Sequence, residues 1–201
     1  MKDIKVIGIS KKFGDQTVLN NLSLVFEAGK RTALMGASGC GKTTLLRIIA
    51  GLETADTGSV EGIEAGDFGM VFQEARLFDT MTAEQNVTCV MKNKKDPFAK
   101  NILTALGFQE TDLKKRPRAL SGGMQRRVAI ARAVAYCHQL YIDEKQPILL
   151  LDEAIRELDQ SSKQRVIDLL IDFCNRTSCT VISITHDKDE AERFCHTVVE
   201  M

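Results

Sequence analysis

The amino-acid sequence predicts an α/β fold built on a central, mostly parallel sheet. Three observations carry this. Strand-like and helix-like segments alternate along the chain. The run Ile148-Leu149-Leu150-Leu151 is uniformly apolar between Pro147 and Asp152, as a strand buried on both faces must be. A short apolar stretch, Arg31–Met35, enters a Gly-rich turn that opens a helical sequence. At 201 residues the chain is long enough for one domain with a sizeable core.

The elements follow in order. Lys5–Ile9 alternates as a strand. Val18–Phe26 is a second strand, bracketed by the turn residues Gly14-Asp15 and Ala28-Gly29. Arg31–Met35 is a third, and Thr43–Ala50 is a helix that Gly51 ends. Phe68–Phe72 is another short strand. From Thr82 to Leu120 the pattern turns helical, with Leu103, Leu106 and Phe108 as apolar anchors and Pro97 and Pro117 as breaks. Ser121–Cys137 reads as a helix, and a segment from Tyr136 to Gln146 links it to the strand Ile148–Leu151. Gln160–Cys174 is amphipathic, with Val166, Leu169, Leu170 and Phe173 on one face. The last elements are a strand at Thr180–Ile184, a helix at Asp187–Phe194 and a strand at Thr197–Met201.

Composition excludes several classes. Hydrophobic residues make up 44% and charged residues 27%, ordinary values for a globular protein, so disorder and fibre are excluded. Lys+Arg and Asp+Glu are 27 each, which argues against a chain held to nucleic acid by global basicity. The basic runs Lys92-Asn93-Lys94-Lys95 and Lys114-Lys115-Arg116 read as solvated surface. No run of about 18 apolar residues offers a membrane span. The N-terminus has no signal-peptide core, which suggests a cytoplasmic chain. Six cysteines without a C-x-x-C pair read as reduced, mostly buried thiols. His138 and His196 belong to no motif.

Gly36-Ala37-Ser38-Gly39-Cys40-Gly41-Lys42-Thr43 matches G-x-x-x-x-G-K-[ST] between strand and helix. The glycines let successive backbone N–H groups turn toward phosphate oxygens, and the helix N-terminus adds its dipole. Lys42 can reach the β- and γ-phosphates of a nucleoside triphosphate, and the Thr43 hydroxyl can ligate Mg²⁺. Asp152 and Glu153 follow the apolar run, so they emerge at the C-terminal edge of the sheet, where ligands bind. Asp152 suits a second Mg²⁺ contact there, and Glu153 can polarise a water. Leu120-Ser121-Gly122-Gly123-Met124-Gln125-Arg126-Arg127 opens a helix with Ser121 as N-cap and so makes a second anion-seeking helix start. One nucleotide needs only one such start. A head-to-tail pair of chains would use both.

These motifs together resemble the ATP-binding subunit of ABC transporters, over essentially the whole chain. Leu120–Gln125 is similar to that family's signature loop. The resemblance implies a P-loop NTPase fold with an antiparallel N-terminal β-subdomain, a core of 1–73 and 121–201, and a helical subdomain at about 74–120 hinged at Gln73. It implies that Phe13 stacks on adenine. Gly36, Ser38, Gly39, Cys40, Gly41, Lys42, Thr43 and Thr44 would hold the phosphates, and Thr43, Gln73 and Asp152 the Mg²⁺. Glu153 would be the general base, with Lys42, Gln73 and His186 assisting at the γ-phosphate. Ser121, Gly122, Gly123, Gln125 and Asp159, the last in a D-loop at Leu158-Asp159, would act across a dimer interface.

The run Val71–Phe78, with Met124–Arg127, looks most like the nitrate/sulfonate/taurine importer group. That implies an ATP-dependent homodimer or heterodimer, separate permease subunits, an extracytoplasmic solute-binding protein, no nucleic acid, and a place on the cytoplasmic face of the membrane. The chain stops near Met201 and is expected to lack a C-terminal regulatory domain. Three departures stand out. Ala154 replaces a proline after Glu153, Ile155-Arg156-Glu157 replaces small residues before the D-loop, and the segment Tyr136–Gln146 is long. The first implies a less rigid turn, and the second places charges near a partner surface. The competing classes are a soluble ABC-type ATPase outside transport, another P-loop enzyme such as a nucleotide kinase, and a weakly hydrolysing or non-hydrolysing module.

Overall fold

The computed structural model describes residues 2–201. Two sheets form. β1 (Ile4–Phe13), β2 (Gln16–Phe26) and β4 (Thr57–Glu61) make an antiparallel sheet in the order β2-β1-β4. β3 (Arg31–Met35), β5 (Phe68–Val71), β6 (Ile148–Asp152), β7 (Thr180–Ile184) and β8 (Thr197–Glu200) make a parallel sheet in the order β5-β6-β7-β3-β8. The helices are α1 (Lys42–Ile49), α2 (Ala83–Thr88), α3 (Phe98–Ala105), α4 (Glu110–Leu113), α5 (Gly122–Ile142), α6 (Gln160–Thr177) and α7 (Lys188–Phe194).

The apolar run Ile148–Leu151 explains the layering. Alternate residues of a strand point to opposite faces. Leu149 and Leu151 join a core with Val181 of β7, Val128, Ile130 and Val134 of α5, and Val166 and Leu170 of α6. Ile148 and Leu150 join a second core with Leu45, Leu46 and Ile49 of α1 and Ile4, Val6, Ile9 and Phe26 of the antiparallel sheet. The parallel sheet is therefore covered on both faces, and every residue of β6 and β7 is buried. The predicted anchors Leu103, Leu106 and Phe108 are buried in the first core with Met91 and Ile102, so the 74–120 segment packs through its apolar side onto α5.

Several elements depart from the sequence reading, three of them with a clear physical reason. β4 was not expected: Thr57-Gly58-Ser59-Val60-Glu61 is polar, and as an edge strand only its Val60 is even partly buried. β1 runs four residues past Ile9, to Phe13; from Lys11 on it pairs with β2 alone, as a two-stranded ribbon. α5 continues five residues past Cys137, to Ile142, so most of the expected linker is helix. Cys137 and Leu140 are buried there, the Tyr136 hydroxyl donates to the Gly66 carbonyl at 2.8 Å, and His138 stacks on Phe98 with ring centroids 3.7 Å apart. Gly51 does end α1, at φ 66°, donating to the Ile48 carbonyl.

Register places the chemistry. β7 lies between β3 and β6, pairing Leu34 with Ile184 and Asp152 with Ile184. The C-terminal ends of the three strands are level. The loops that follow them, starting at Gly36, Glu153 and Thr185, leave the sheet along one edge.

Candidate functional site

Gly36–Gly41 curls between β3 and α1. Gly36, Gly39 and Gly41 have φ of 149°, 81° and 103°, values open to glycine. At Gly41 the reason is also packing: a Cβ there would fall 2.7 Å from Leu19 Cδ2. At Gly39 it would meet nothing within 4 Å, so the backbone conformation alone demands glycine. Lys42 lies folded along the loop. Its Nζ donates to the carbonyls of Gly36 (2.9 Å) and Ala37 (2.8 Å), so the buried ammonium sits at the centre of the loop.

The Thr43 hydroxyl donates to Asp152 Oδ1 at 3.1 Å. Asp152 is 2% exposed, and burial raises its pKa; the Thr43 hydrogen bond opposes this, while the Glu153 charge adds to it. A buried carboxylate beside a hydroxyl, with no cationic side chain bonded to it, is a donor set suited to a hard divalent cation.

Glu153 adopts φ 49°, a left-handed conformation unusual for a non-glycine residue. Its N–H donates to the Ile184 carbonyl at 3.2 Å, which pins this turn to the end of β7. Both carboxylate oxygens are engaged. Oε1 accepts from His186 Nε2 at 2.9 Å, and Oε2 accepts from Arg156 Nη1 at 2.6 Å. A carboxylate can only accept, so His186 carries its proton on Nε2. Burial raises the Glu153 pKa, but the Arg156 hydrogen bond and charge, with His186, outweigh it and leave the carboxyl below its ordinary value.

A cavity of about 340 Å³ collects these groups. Ser38, Gly39, Gly41, Lys42, Thr43 and Thr44 of the loop and α1 line it together with Gln73, Glu153, Arg156, His186, Phe13 and Val18; Asp152 reaches it through its bond to Thr43. Phe13 is 49% exposed, so it is not a core aromatic; Lys11 Nζ lies 5.0 Å from its ring centroid. Cys40 sits beside Lys42 with Sγ 3.6 Å from Nζ, and Gly36 forms the loop's base.

The signature residues are elsewhere. Ser121 caps α5, its hydroxyl accepting from the Met124 N–H at 3.2 Å. Ser121 and Gly122 are exposed, and a Cβ at Gly122 would meet nothing within 4 Å. Gln125 donates through Nε2 to the carbonyls of Pro117 (2.9 Å) and Leu120 (3.2 Å), and so holds the loop before α5. Asp159 caps α6, accepting from Ser162 N–H and the Ser161 hydroxyl. None of Ser121, Gly122, Gly123, Gln125 and Asp159 lines the phosphate cavity of its own chain.

Two residues that the sequence reading did not assign to the site also matter. Val18 lines the cavity. Arg156, an exposed residue, bonds to Glu153. The turn is also firmer than the loss of a proline implied: Ala154 and Ile155 are buried, and the buried Arg126 of α5 donates to the Glu153 carbonyl (3.3 Å) and to Glu157 (3.0 Å). Arg156 is legible in the sequence only as a cation three positions after the second carboxylate.

The geometry is that of a nucleoside triphosphate site, and comparison with known proteins defines its class. The family model for the ABC transporter matches residues 19–156. The chain is 41% identical over 182 residues to the aliphatic sulfonates import ATP-binding protein SsuB 2 of Pseudomonas syringae pv. tomato, covering 90% of this chain and 74% of that one. It is 38% identical to the nitrate import ATP-binding protein NrtD of a Synechocystis strain, covering 94% and 72%. The dimeric structure of a bacterial ABC transporter cassette superposes with a TM-score of 0.85 at 29% identity, covering 98% and 94%. A dimeric, post-hydrolysis state of that cassette, bound to ADP and Pi, gives 0.84 at 28% identity. The chain belongs to the ABC transporter family and carries its ATP-binding, ATP-hydrolysing domain. Among the described residues no helix is long and apolar enough to cross a membrane.

Proposed function

We propose that this chain is the ATPase subunit of an importer, in which two ATP-binding domains close on ATP and open on hydrolysis, driving separate permease subunits. One observation carries the reading. Most of the predicted phosphate and hydrolysis groups on the core, from Ser38 to Thr44 with Gln73, Glu153 and His186, line one cavity, while the second anion-seeking helix start, with Ser121 and Gly122 exposed, lies outside it. That split is what a head-to-tail sandwich requires. Each ATP lies between the loop of one copy and the signature of the other.

In this reading Phe13 stacks on the base, and the backbone of Gly36–Thr44 wraps the phosphates. Lys42 exchanges its carbonyl partners for β- and γ-phosphate oxygens. Thr43, Asp152 and Gln73 would hold Mg²⁺, which supplies charge neutralisation on the phosphates. Glu153 accepts a proton from water as the water oxygen bonds the γ-phosphorus, and the bond to the β–γ bridging oxygen breaks, releasing ADP and phosphate. His186 donates to Glu153 and orients it toward the γ-phosphate. Catalysis is mostly positioning and charge stabilisation. Gln125 braces the signature loop, and Asp159 fixes the start of α6 beside the interface. The segment 74–120 serves as a helical subdomain hinged at Gln73.

The similarity to sulfonate and nitrate import proteins supports import of a small oxyanion, with an extracytoplasmic solute-binding protein delivering it. In this reading the chain sits peripherally on the cytoplasmic membrane face, and nucleic acid has no part. The test is phosphate release by wild type and Glu153→Gln. A fall of roughly 100-fold or more with ATP binding retained supports Glu153 as base; unchanged turnover removes it.

A further inference from the structure

Phe13 lines the phosphate cavity from the end of the ribbon in which β1 pairs with β2 alone. A two-stranded ribbon is marginal by itself. Where the Phe13 ring stands therefore depends on what fastens this ribbon to the core. β2 packs on the phosphate loop, with Val18 and Leu19 against Gly41. β1 is fastened by Lys11.

Two residues apart on a strand, Lys11 and Phe13 share a face. Lys11 is buried, which is unusual for a lysine without partners. Three oxygens hold its ammonium: Glu53 Oε1 at 2.7 Å, the Thr54 carbonyl at 2.7 Å and Asp56 Oδ1 at 3.5 Å. All three belong to the segment between α1 and β4. Because α1 begins at the phosphate loop and carries Lys42 and Thr43, the cation ties the ribbon to the helix that the phosphates need. From that anchor Nζ stands over the Phe13 ring, 5.0 Å from its centroid. One face of the ring is thus covered by an ammonium that cannot leave without unpairing buried charge. The opposite face is left for a flat ligand. A cation on one face also draws the ring's π-electrons toward it, so the other face is less negative and better suited to an electron-rich purine.

We propose that Lys11 is a positioning residue for the nucleotide base: it occupies one face of the Phe13 ring, fixes that ring relative to the phosphate loop, and so directs the purine onto the opposite face. This rests on the reading of Phe13 as the base-stacking residue. Lys11 does not line the phosphate cavity, and its ammonium is already engaged by Glu53, Thr54 and Asp56. Its contribution therefore falls on the base and not on the phosphates.

The experiment titrates ATP–Mg²⁺ and tripolyphosphate–Mg²⁺, which offers the phosphates without the base, into wild type, Lys11→Met, Lys11→Arg, Phe13→Leu and the double variant Lys11→Met/Phe13→Leu. Melting temperatures are taken alongside. Lys11→Met is expected to weaken ATP binding about three- to tenfold, the scale of a cation–π contact, and to leave tripolyphosphate within about twofold. Lys11→Arg is expected to stay within about twofold of wild type for both ligands, because a guanidinium also lies over a ring. In the Phe13→Leu background Lys11→Met is expected to cost no further ATP affinity, since the ring it acts through is gone. A merely structural lysine would lower the melting temperature without this selectivity for the base. Equal losses for ATP and tripolyphosphate, or the same further loss in the Phe13→Leu background, would make Lys11 a general charge or strut and overturn the proposal. If Lys11→Met binds ATP like wild type while Phe13→Leu does not, Lys11 has no part in placing the base and the stacking reading stands. If Phe13→Leu itself binds ATP like wild type, the stacking reading has failed and the proposal falls with it. Where Lys11→Met does not fold, Lys11→Gln takes its place: it removes the cation, can still donate to Glu53, and is held to the same outcomes.

Discussion

Thr43 and Asp152 are 109 positions apart in the chain and meet through a 3.1 Å hydrogen bond from hydroxyl to carboxylate. The contact joins the start of α1 to the end of β6, across the strand β7 that separates β6 from β3. It is the point at which the phosphate loop and the acidic strand end become one site.

The loop depends on Lys42. Its ammonium spans the two carbonyls that open the turn, and in the proposed complex it moves to phosphate oxygens. Lys42→Ala is expected to weaken ATP binding by about 2–3 kcal/mol, some 30- to 150-fold, the scale of a lost charge-assisted contact. Calorimetric titration of the purified variant checks this, and an unaltered dissociation constant would contradict the placement of Lys42 at the phosphates.

Asp152 trades stability for function. Burial raises its folded-state pKa above the unfolded value, so ionisation favours unfolding. This unfavourable contribution is absent below the unfolded pKa, grows as pH rises from the unfolded value to the folded one, and is complete above it. Asp152→Asn is expected to melt at or above the wild-type temperature near neutral pH without nucleotide, and to lose Mg²⁺-dependent turnover. A clear drop in melting temperature would show that the carboxylate is structural.

Glu190 gives a second pH signature. It is 7% exposed on α7, and burial, with the Asp187 charge, pushes its pKa to about 7 against the Thr185 hydrogen bond. The folded state then holds a proton that the unfolded state has lost between roughly pH 4.5 and 7, so stability falls across that window as pH rises. Glu190→Gln should flatten the fall and be more stable at about pH 8 by on the order of 2 kcal/mol. Denaturant unfolding at several pH values measures it; parallel curves for both proteins would contradict the burial argument.

Ser121 tests the second half of the sandwich. It is exposed at the N-terminus of α5, and an arginine there fills the space a partner's phosphate would take. Ser121→Arg should keep monomeric ATP affinity within about twofold, because Ser121 lies outside the chain's own cavity. It should also abolish ATP-driven dimers in sedimentation runs. Dimers at wild-type level would count against a phosphate site at the signature loop.

Much of this site was legible in the sequence because its parts are local. A glycine pattern between strand and helix, two carboxylates after a buried strand, and a serine before two glycines each state their chemistry within eight residues. Strand register, which brings those parts level, had to be seen. The edge strand β4 was missed because its exposed residues need no apolar pattern. The end of α5 was missed because Tyr136–Ile142 carries polar residues whose partners, Gly66 and Phe98, lie far off in sequence. The bonds of Gln125 to Pro117 and Leu120 were not legible because they depend on the loop before α5 folding back. Arg156 read only as a charge near the D-loop, and its bond to Glu153 was not legible because nothing local marks the positive φ at Glu153.

The central claim is that two copies of this chain close around ATP. Light scattering of Glu153→Gln, with and without ATP–Mg²⁺, tests it most directly. The account predicts a shift from monomer mass to twice that mass on adding ATP, reversed when nucleotide is removed. A sample that binds ATP in calorimetry, stays monomeric at every protein concentration, and does not pair when its permease is supplied would contradict it.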